Sequence, residues 1–139
     1  WLLTGLIPVI LITVNGYNYG IALSQAGRLD EGIAQFWQSL RINPQHANAH
    51  YNLGLALAKT GQLEEAVVHL RKSLESDSNS PSTLINLAGV LIMDKKSQVY
   101  DCVEAVRLAE RACELTRYEN PEMVGILTKA RKAASFKTN

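Results

Sequence analysis

Residues 49–80 read AHYNLGLALAKTGQLEEAVVHLRKSLESDSNS, and this stretch contains two glycines, Gly54 and Gly61, within an unbroken rhythm of apolar and charged residues. A related stretch, YNYGIALSQAGRLDEG, occupies residues 17–32, and its first two glycines stand 34 residues before Gly54 and Gly61. A third, weaker copy starts with LINLAGVLIM at Leu84. Self-similarity at this period is typical of a solenoid built from helix-turn-helix units.

Each unit predicts two helices joined by a short turn. Leu53 and Leu57 belong to an apolar set whose spacings of three and four indicate an amphipathic helix. Gly54 stands within that helix, where glycine costs about 1 kcal/mol relative to alanine, so we expect a second helix to approach closely there. Gly61 fits the left-handed position that ends a helix. Acidic residues from Glu64 onward then suit the start of the next helix, and the short turn makes the two helices antiparallel.

These units resemble the tetratricopeptide repeat. The motifs that carry the resemblance are YNLGLAL, the turn GQLEEA and the INP that ends the first unit, and the match runs from Tyr17 to about Asn120. We therefore predict an all-α, right-handed tetratricopeptide solenoid of three antiparallel helix pairs plus a C-terminal helix. Its predicted parts are an apolar segment at 1–14, repeats at 15–46, 47–80 and 81–120, and a final helix and tail at 121–139.

Three features depart from the usual repeat. Gly16 stands where a large aromatic residue is usual, and Gly32 stands where alanine is usual. The third unit carries an extended turn, DKKSQVYDCV at residues 94–103, before its second helix resumes. This turn and the helix after it resemble the last units of bacterial proteins related to the repeat half of O-linked sugar transferases. Asn120 and Pro121 then fit the cap and first position of a final helix.

The N-terminal segment WLLTGLIPVILITV, residues 1–14, is almost wholly apolar. It is too short to cross about 30 Å of hydrocarbon as a helix, and Pro8 interrupts it. Three interpretations remain open: the tail of a membrane helix, the remnant of a signal peptide, or an arm that packs on the solenoid or on a second subunit. The segment also resembles the last membrane segment before the repeats in some bacterial multi-pass glycosyltransferase-like proteins. Localisation is therefore open between cytoplasmic and membrane-tethered, in a bacterial source.

Composition fits one helical domain and argues against nucleic-acid binding. The 139 residues are 47% hydrophobic, and 14 lysines and arginines against 13 acids give a net charge of +1, too small for a nucleic-acid footprint. Cys102 and Cys113 lie eleven residues apart on one predicted helix, roughly 16 Å from each other. A disulfide needs Cα atoms within about 7 Å, so the two cannot pair.

No pattern in the sequence predicts catalysis, a metal site or a cofactor. His46 and His50 have a spacing at which two helical imidazoles can share a metal, yet no nearby acid or cysteine completes a ligand set. We interpret His46 as a linker residue and His50 as a packing residue. His69 is predicted to be solvated, because charged residues surround it on the second helix. The acidic pairs of the units are explained by their place at helix starts.

The first helices of a solenoid line its concave face, which is where such proteins bind partners. Asn18, Asn52 and Asn86 recur there at one phase, and a carboxamide offers both donors and acceptors. The resemblance implies that asparagine at this position contacts the backbone or terminal carboxylate of a bound peptide; the alternative is a bond to a neighbouring helix. The candidate partner-binding residues are Tyr17, Asn18, Ile21, Tyr51, Asn52, Leu55, Lys59, Ile85, Asn86 and Met93.

The predicted groove is apolar and aromatic, with Lys59 as its one cation. It lacks the several lysines and arginines with which chaperone-tail-binding tetratricopeptide domains clamp a carboxylate pair. Three functions are compatible with these features: a non-catalytic scaffold that binds a protein or peptide, a head-to-tail homo-oligomer that uses the apolar N-terminal arm, and the recognition arm of a larger membrane-bound glycosyltransferase-like protein. The first predicts a monomer, the second a mass that grows with concentration, and the third membrane spans upstream of Trp1.

Overall fold

The computed structural model describes residues 16–98 and 100–136, which form seven helices and their connecting turns. In chain order they are α1 (16–25), α2 (Leu29–Ile42), α3 (Ala47–Lys59), α4 (Leu63–Ser76), α5 (Pro81–Leu91), α6 (Cys102–Leu115) and α7 (Pro121–Ser135). Each helix from α2 onward packs on the next one, and the first helices of the units also meet, α3 with α5 and α5 with α7. The predicted all-α solenoid is confirmed.

The turn glycines adopt the predicted left-handed conformation. Gly27 has φ +80° and Gly61 has φ +83°. After α3 the Gly61 N–H donates to the Ala58 carbonyl at 3.1 Å, and the Gln62 N–H donates to the Leu57 carbonyl at 2.9 Å. These two bonds satisfy carbonyls that would otherwise end the helix without a partner. The chain thus reverses within three residues, which sets α4 antiparallel to α3.

The glycines within the first helices allow close contact with the second helices. A Cβ on Gly54 would lie 2.8 Å from Leu70 Cγ, and one on Gly20 would lie 2.8 Å from Phe36 Cε1. Carbon atoms in contact normally stay about 3.5–4.0 Å apart, so a methyl group fits at neither place without displacement of the facing side chain. Gly32, the departure from alanine, faces the Ser24 side chain, which occupies the space that a Cβ would need.

The third unit has the predicted long connection, but its second helix starts earlier than predicted. Asp101 caps α6, and its Oδ1 accepts from the N–H groups of Val103 and Glu104, each at 3.0 Å. Cys102 and Val103 are therefore helical, although the extended turn was predicted to reach residue 103; the placement of Cys102 and Cys113 on one helix is correct. Cys102 and Cys113 lie on the same helix as buried free thiols.

The end of α6 is unusual, because residues other than glycine adopt positive φ in the turn that follows it. Arg117 and Tyr118 have φ values of 52° and 58°, a region that costs residues with a Cβ roughly 1–2 kcal/mol each. The Tyr118 N–H donates to the Cys113 carbonyl at 2.7 Å, in the same arrangement that Gln62 makes after α3. Asn120 then caps α7, as predicted: its Oδ1 accepts from the N–H of Glu122 at 3.0 Å and from that of Met123 at 3.3 Å.

The predictions for residues 1–14 fall outside the described residues. Within 16–98 and 100–136, no helix has the length and apolar character needed to cross a membrane. The proposed roles of the N-terminal segment in membrane association or assembly remain predictions.

Candidate functional site

A groove of about 140 Å³ opens between α1 and α3, with α2 beneath it. We call it the α1–α3 groove. Its lining consists of Ile21, Ser24, Gln25, Leu29, Phe36, Asn52, Leu55, Ala56 and Lys59. Four of the predicted partner-binding residues meet here: Ile21, Asn52, Leu55 and Lys59. The apolar members form the floor and walls, and the polar members supply hydrogen-bonding groups and one positive charge.

Sequence reasoning missed part of the groove, because it considered only the first helix of each unit. Phe36 comes from α2 and reaches the groove because Gly20 presents no side chain to it. A signal was present in the sequence, since Phe36 follows Gly20 by the same 16 residues that separate Leu70 from Gly54. Leu29 of α2 was missed for the same reason, whereas Ala56 lies on α3 but was not among the predicted binding residues.

The other predicted site residues have different environments. Asn18 is exposed on α1, whereas Tyr17, Tyr51 and Asn86 are half-buried. Ile85 is only 5% exposed and belongs to the core, so a partner could contact little of it. Met93 is 58% exposed just beyond the end of α5, and it does not line the α1–α3 groove.

Two of the recurrent asparagines join successive units. Asn52 Nδ2 donates to the Tyr17 hydroxyl at 2.9 Å and to the Asn48 carbonyl at 2.9 Å. Asn86 Nδ2 repeats the arrangement, with the Tyr51 hydroxyl at 3.0 Å and the Ser82 carbonyl at 2.8 Å. The bond to a neighbouring helix, one of the two alternatives for these asparagines, is therefore present.

The carbonyl partners fix how each carboxamide is oriented. A main-chain carbonyl only accepts hydrogen bonds, so the atom of Asn52 beside the Asn48 carbonyl must be the amide nitrogen. That nitrogen has two hydrogens, and both are used. Asn52 Oδ1 receives no hydrogen bond from any group in the described ranges, and the same holds for Asn86. Each asparagine therefore presents a free acceptor and no free donor.

The tyrosine hydroxyls complement these acceptors. Each accepts from an asparagine, and its own proton remains available for donation. Burial raises the pKa of Tyr17 and of Tyr51 above the usual value of 10.0, and this effect outweighs the asparagine bond, which lowers the pKa. Both hydroxyls are thus protonated at neutral pH.

Lys59 is an uncompensated cation at the α1–α3 groove. Within residues 16–98 and 100–136 the ion pairs involve arginines: Arg28 with Glu31, Arg71 and Arg107 with Glu104, and Arg131 with Glu110. No acid of that part of the chain pairs with the ammonium group of Lys59, which is exposed. An acidic group of a partner would find it free.

Residues 17–81 match the sequence profile of the family described as tetratricopeptide repeat. The chain folds as a tetratricopeptide-repeat solenoid. Similar solved structures include the first tetratricopeptide domain of Spaghetti (RPAP3) bound to an HSP90 peptide, with a TM-score of 0.79, 17% identity and coverage of 88% of this chain and 93% of that one. The second tetratricopeptide domain of human RPAP3 with an HSP70 peptide has a TM-score of 0.78, 15% identity and coverage of 88% and 98%.

A third similar structure is the TPR2B domain of yeast Sti1 in its complex with an Hsp70 peptide, with a TM-score of 0.78, 19% identity and coverage of 88% of this chain and 98% of that one. At these identities the likeness shows the fold. Among curated proteins, none matches this chain.

The second tetratricopeptide unit contains a histidine pair that the sequence did not reveal. His50 Nδ1 and His69 Nδ1 lie 2.8 Å apart, and His50 Nε2 lies 2.9 Å from the Pro44 carbonyl. The Trp37 and His69 rings are nearly perpendicular, with centroids 4.8 Å apart. His69 is only 4% exposed, so the prediction that it is solvated was wrong. It lies on the face of α4 that packs against α3, whereas its charged sequence neighbours point outward.

These contacts determine the tautomers. The Pro44 carbonyl only accepts, so His50 carries its proton on Nε2 and presents a lone pair at Nδ1. His69 then donates from Nδ1. Burial lowers the pKa of His69 from 6.5 to about 4, helped by the positive charges that His50 and Lys72 would bring. His69 is therefore neutral at physiological pH.

His46 is occupied elsewhere in the tetratricopeptide unit. It caps α3, and its Nδ1 accepts from the Ala49 N–H at 2.9 Å. The centroid of its ring lies 4.8 Å from the centroid of the Tyr17 ring. In the described part of the chain, no three histidine, cysteine or acidic side chains are grouped so as to hold a metal ion.

Proposed function

We propose that this chain is a non-catalytic interaction scaffold that binds an extended peptide or partner segment in its concave tetratricopeptide groove. The observation that carries the proposal is the α1–α3 groove, where an apolar floor, the free acceptor of Asn52 and the unpaired Lys59 stand together. The peptide complexes of the RPAP3 and Sti1 domains support it, because those domains share this fold.

The proposed binding residues are Tyr17, Asn18, Ile21, Tyr51, Asn52, Leu55, Lys59, Asn86 and Met93, with Ile85 as core support. Two of the peptides bound by the similar domains end in EEVD, a sequence with several acidic groups. The groove described here offers Lys59 alone, which argues against a chaperone-tail adaptor. Each hydrogen bond contributes about 0.5–1.5 kcal/mol net, so we expect dissociation constants near 1 μM, about −8.2 kcal/mol, rather than in the nanomolar range.

A groove variant and a matched variant on the opposite face test this proposal. Peptides selected from a random library would be titrated against the wild type, Leu55→Glu in the groove and Val68→Glu on α4, where Val68 is 50% exposed. We expect Leu55→Glu to weaken binding at least tenfold, because it places a charge at the apolar wall, while Val68→Glu keeps the wild-type affinity. Loss of binding in Val68→Glu alone would place the partner on the convex side and contradict the proposal.

A further inference from the structure

The hydrogen-bonding groups left free in the groove define what kind of segment it recognises. We propose that the concave groove binds an internal, extended segment of a partner through the main-chain N–H groups of that segment, and that Asn52 and Asn86 disfavour a terminal carboxylate. This inference rests on the proposed function and specifies the ligand of the same site.

The first argument is one of donors and acceptors. Both amide hydrogens of Asn52 are used, on the Tyr17 hydroxyl and the Asn48 carbonyl, so Oδ1 is the atom that remains. A carboxylate consists of acceptors only, and its approach to another acceptor is repulsive. A main-chain N–H, in contrast, can donate a hydrogen bond to Oδ1. Donation to a carboxylate here would require Asn52 to give up one of these two hydrogen bonds, to the Tyr17 hydroxyl or to the Asn48 carbonyl.

The second argument is the repetition of the pair. Tyr17 with Asn52 and Tyr51 with Asn86 stand one unit apart, and each pair offers one acceptor, the asparagine Oδ1, and one donor, the tyrosine hydroxyl. An extended chain presents N–H and C=O groups as its own donors and acceptors. The two pairs can therefore satisfy main-chain groups at two places along one bound segment, without any contribution from a chain terminus.

The third argument concerns side chains. The α1–α3 groove has a volume of about 140 Å³, and Ile21, Leu29, Phe36 and Leu55 contribute apolar walls. An apolar cavity of about 150 Å³ is large enough for a benzene ring, so one medium-sized apolar side chain fits. Lys59 lines the same groove without an acidic partner. The segment we expect therefore has an apolar residue near an acidic one, within an extended stretch.

Two peptide arrays that carry the same random dodecapeptides test the inference. One array anchors each peptide through its C-terminus, which leaves no free carboxylate, and the other anchors it through the N-terminus. We expect the chain to bind the same peptides on both arrays, with a free carboxylate changing the signal less than about twofold. Binding confined to free C-termini would overturn the inference while it supports the proposed function. An absence of binding on both arrays would overturn the proposed function, and the inference with it.

Backbone ester substitution then tests the atoms themselves. In the tightest peptide, each main-chain N–H is replaced in turn by an ester oxygen, which removes one donor and keeps the shape. At least one ester peptide should bind the wild type about fivefold or more weakly than the parent peptide does. The same ester should change the affinity for Asn52→Ala or for Asn86→Ala less than about twofold, because that variant lacks the acceptor. Helix content from circular dichroism confirms that the variants are folded. Ester effects equal in the wild type and both variants would show that neither asparagine accepts from the peptide.

Discussion

His50 and His69 meet at their Nδ1 atoms, 2.8 Å apart, inside the second tetratricopeptide unit. One hydrogen lies between the two nitrogens, because His50 holds its own proton on Nε2 toward the Pro44 carbonyl. Protonation of His69 would place a positive charge in a site with little access to water. The pair therefore couples the packing of α3 on α4 to pH.

We predict that the chain loses stability when the pH falls from about 6.5 to about 4. The pKa of His69 is about 4 in the folded chain and near 6.5 in the unfolded chain, so the unfolded state binds more protons between these values. The free energy of unfolding should fall by about 3 kcal/mol across this window from His69 alone, since each pKa unit corresponds to about 1.36 kcal/mol. Urea unfolding at a series of pH values measures this fall in the free energy of unfolding.

His69→Gln is the matched variant, because Gln35 occupies the same position one unit earlier. It should show a smaller fall in stability over the same pH range, since glutamine does not titrate. If the wild type and His69→Gln lost the same free energy of unfolding between pH 6.5 and 4, the buried pair would not be the source of the effect.

A pair of glycine substitutions tests the close helix contacts. Gly54→Ala should destabilise the chain by about 1–3 kcal/mol, because the new Cβ would lie 2.8 Å from Leu70 Cγ. Gly89→Ala, on α5, meets nothing within 4 Å and should stabilise the chain by up to about 1 kcal/mol through helix propensity. Thermal or urea unfolding gives both values. Equal effects with the same sign would contradict this explanation of the repeat glycine.

The turn after α6 offers a stabilising substitution. Arg117 has φ 52° in the turn after α6, a left-handed conformation that glycine adopts in the turns after α1 and α3, so Arg117→Gly should raise the free energy of unfolding by about 1 kcal/mol. Gly61→Ala is the reverse change at φ +83° and should lower it by a similar amount. A destabilised Arg117→Gly would show that the arginine side chain contributes more than its backbone conformation costs.

Asn52→Ala should weaken a bound peptide at least several-fold and leave helix content unchanged. The variant removes the free Oδ1 acceptor and also the bond to the Tyr17 hydroxyl, so we expect a loss of stability of about 0.5–1.5 kcal/mol as well. Tyr17→Phe removes the same bond between units and keeps Oδ1, so its loss of stability in urea unfolding gives the structural part of the Asn52→Ala effect. Isothermal titration measures affinity, and an Asn52→Ala variant that binds as tightly as the wild type would remove Asn52 from the site.

Local chemistry made much of the fold predictable. Gly61 marks a helix end because glycine readily adopts the left-handed conformation that the turn needs. Asn120 and Pro121 mark a helix start because asparagine caps a helix and proline fits its first position. The early start of α6 was missed because Asp101 was read as part of the long turn rather than as a cap. Period, turns and caps are short-range features, and a sequence displays them directly.

The features that a single sequence hides depend on contacts between distant residues. His69 lies among charged neighbours, and nothing next to it in the chain shows that its partner is His50, 19 residues away. The orientation of Asn52 follows from Tyr17, 35 residues earlier, and from a carbonyl of its own helix. The recurrence of asparagine was visible in the sequence, but which of its atoms remained free was not.

Amide chemical-shift mapping tests the central claim, that the concave groove is the binding surface. A uniformly nitrogen-15-labelled chain would be titrated with the tightest library peptide while backbone and side-chain amide signals are followed. We predict the largest shifts at Ile21, Asn52, Leu55 and Lys59, including the side-chain amide of Asn52, and unchanged signals at Val68 and Val103 on the outer helices. Shifts concentrated at Val68 and Val103, with the groove residues unmoved, would contradict the account.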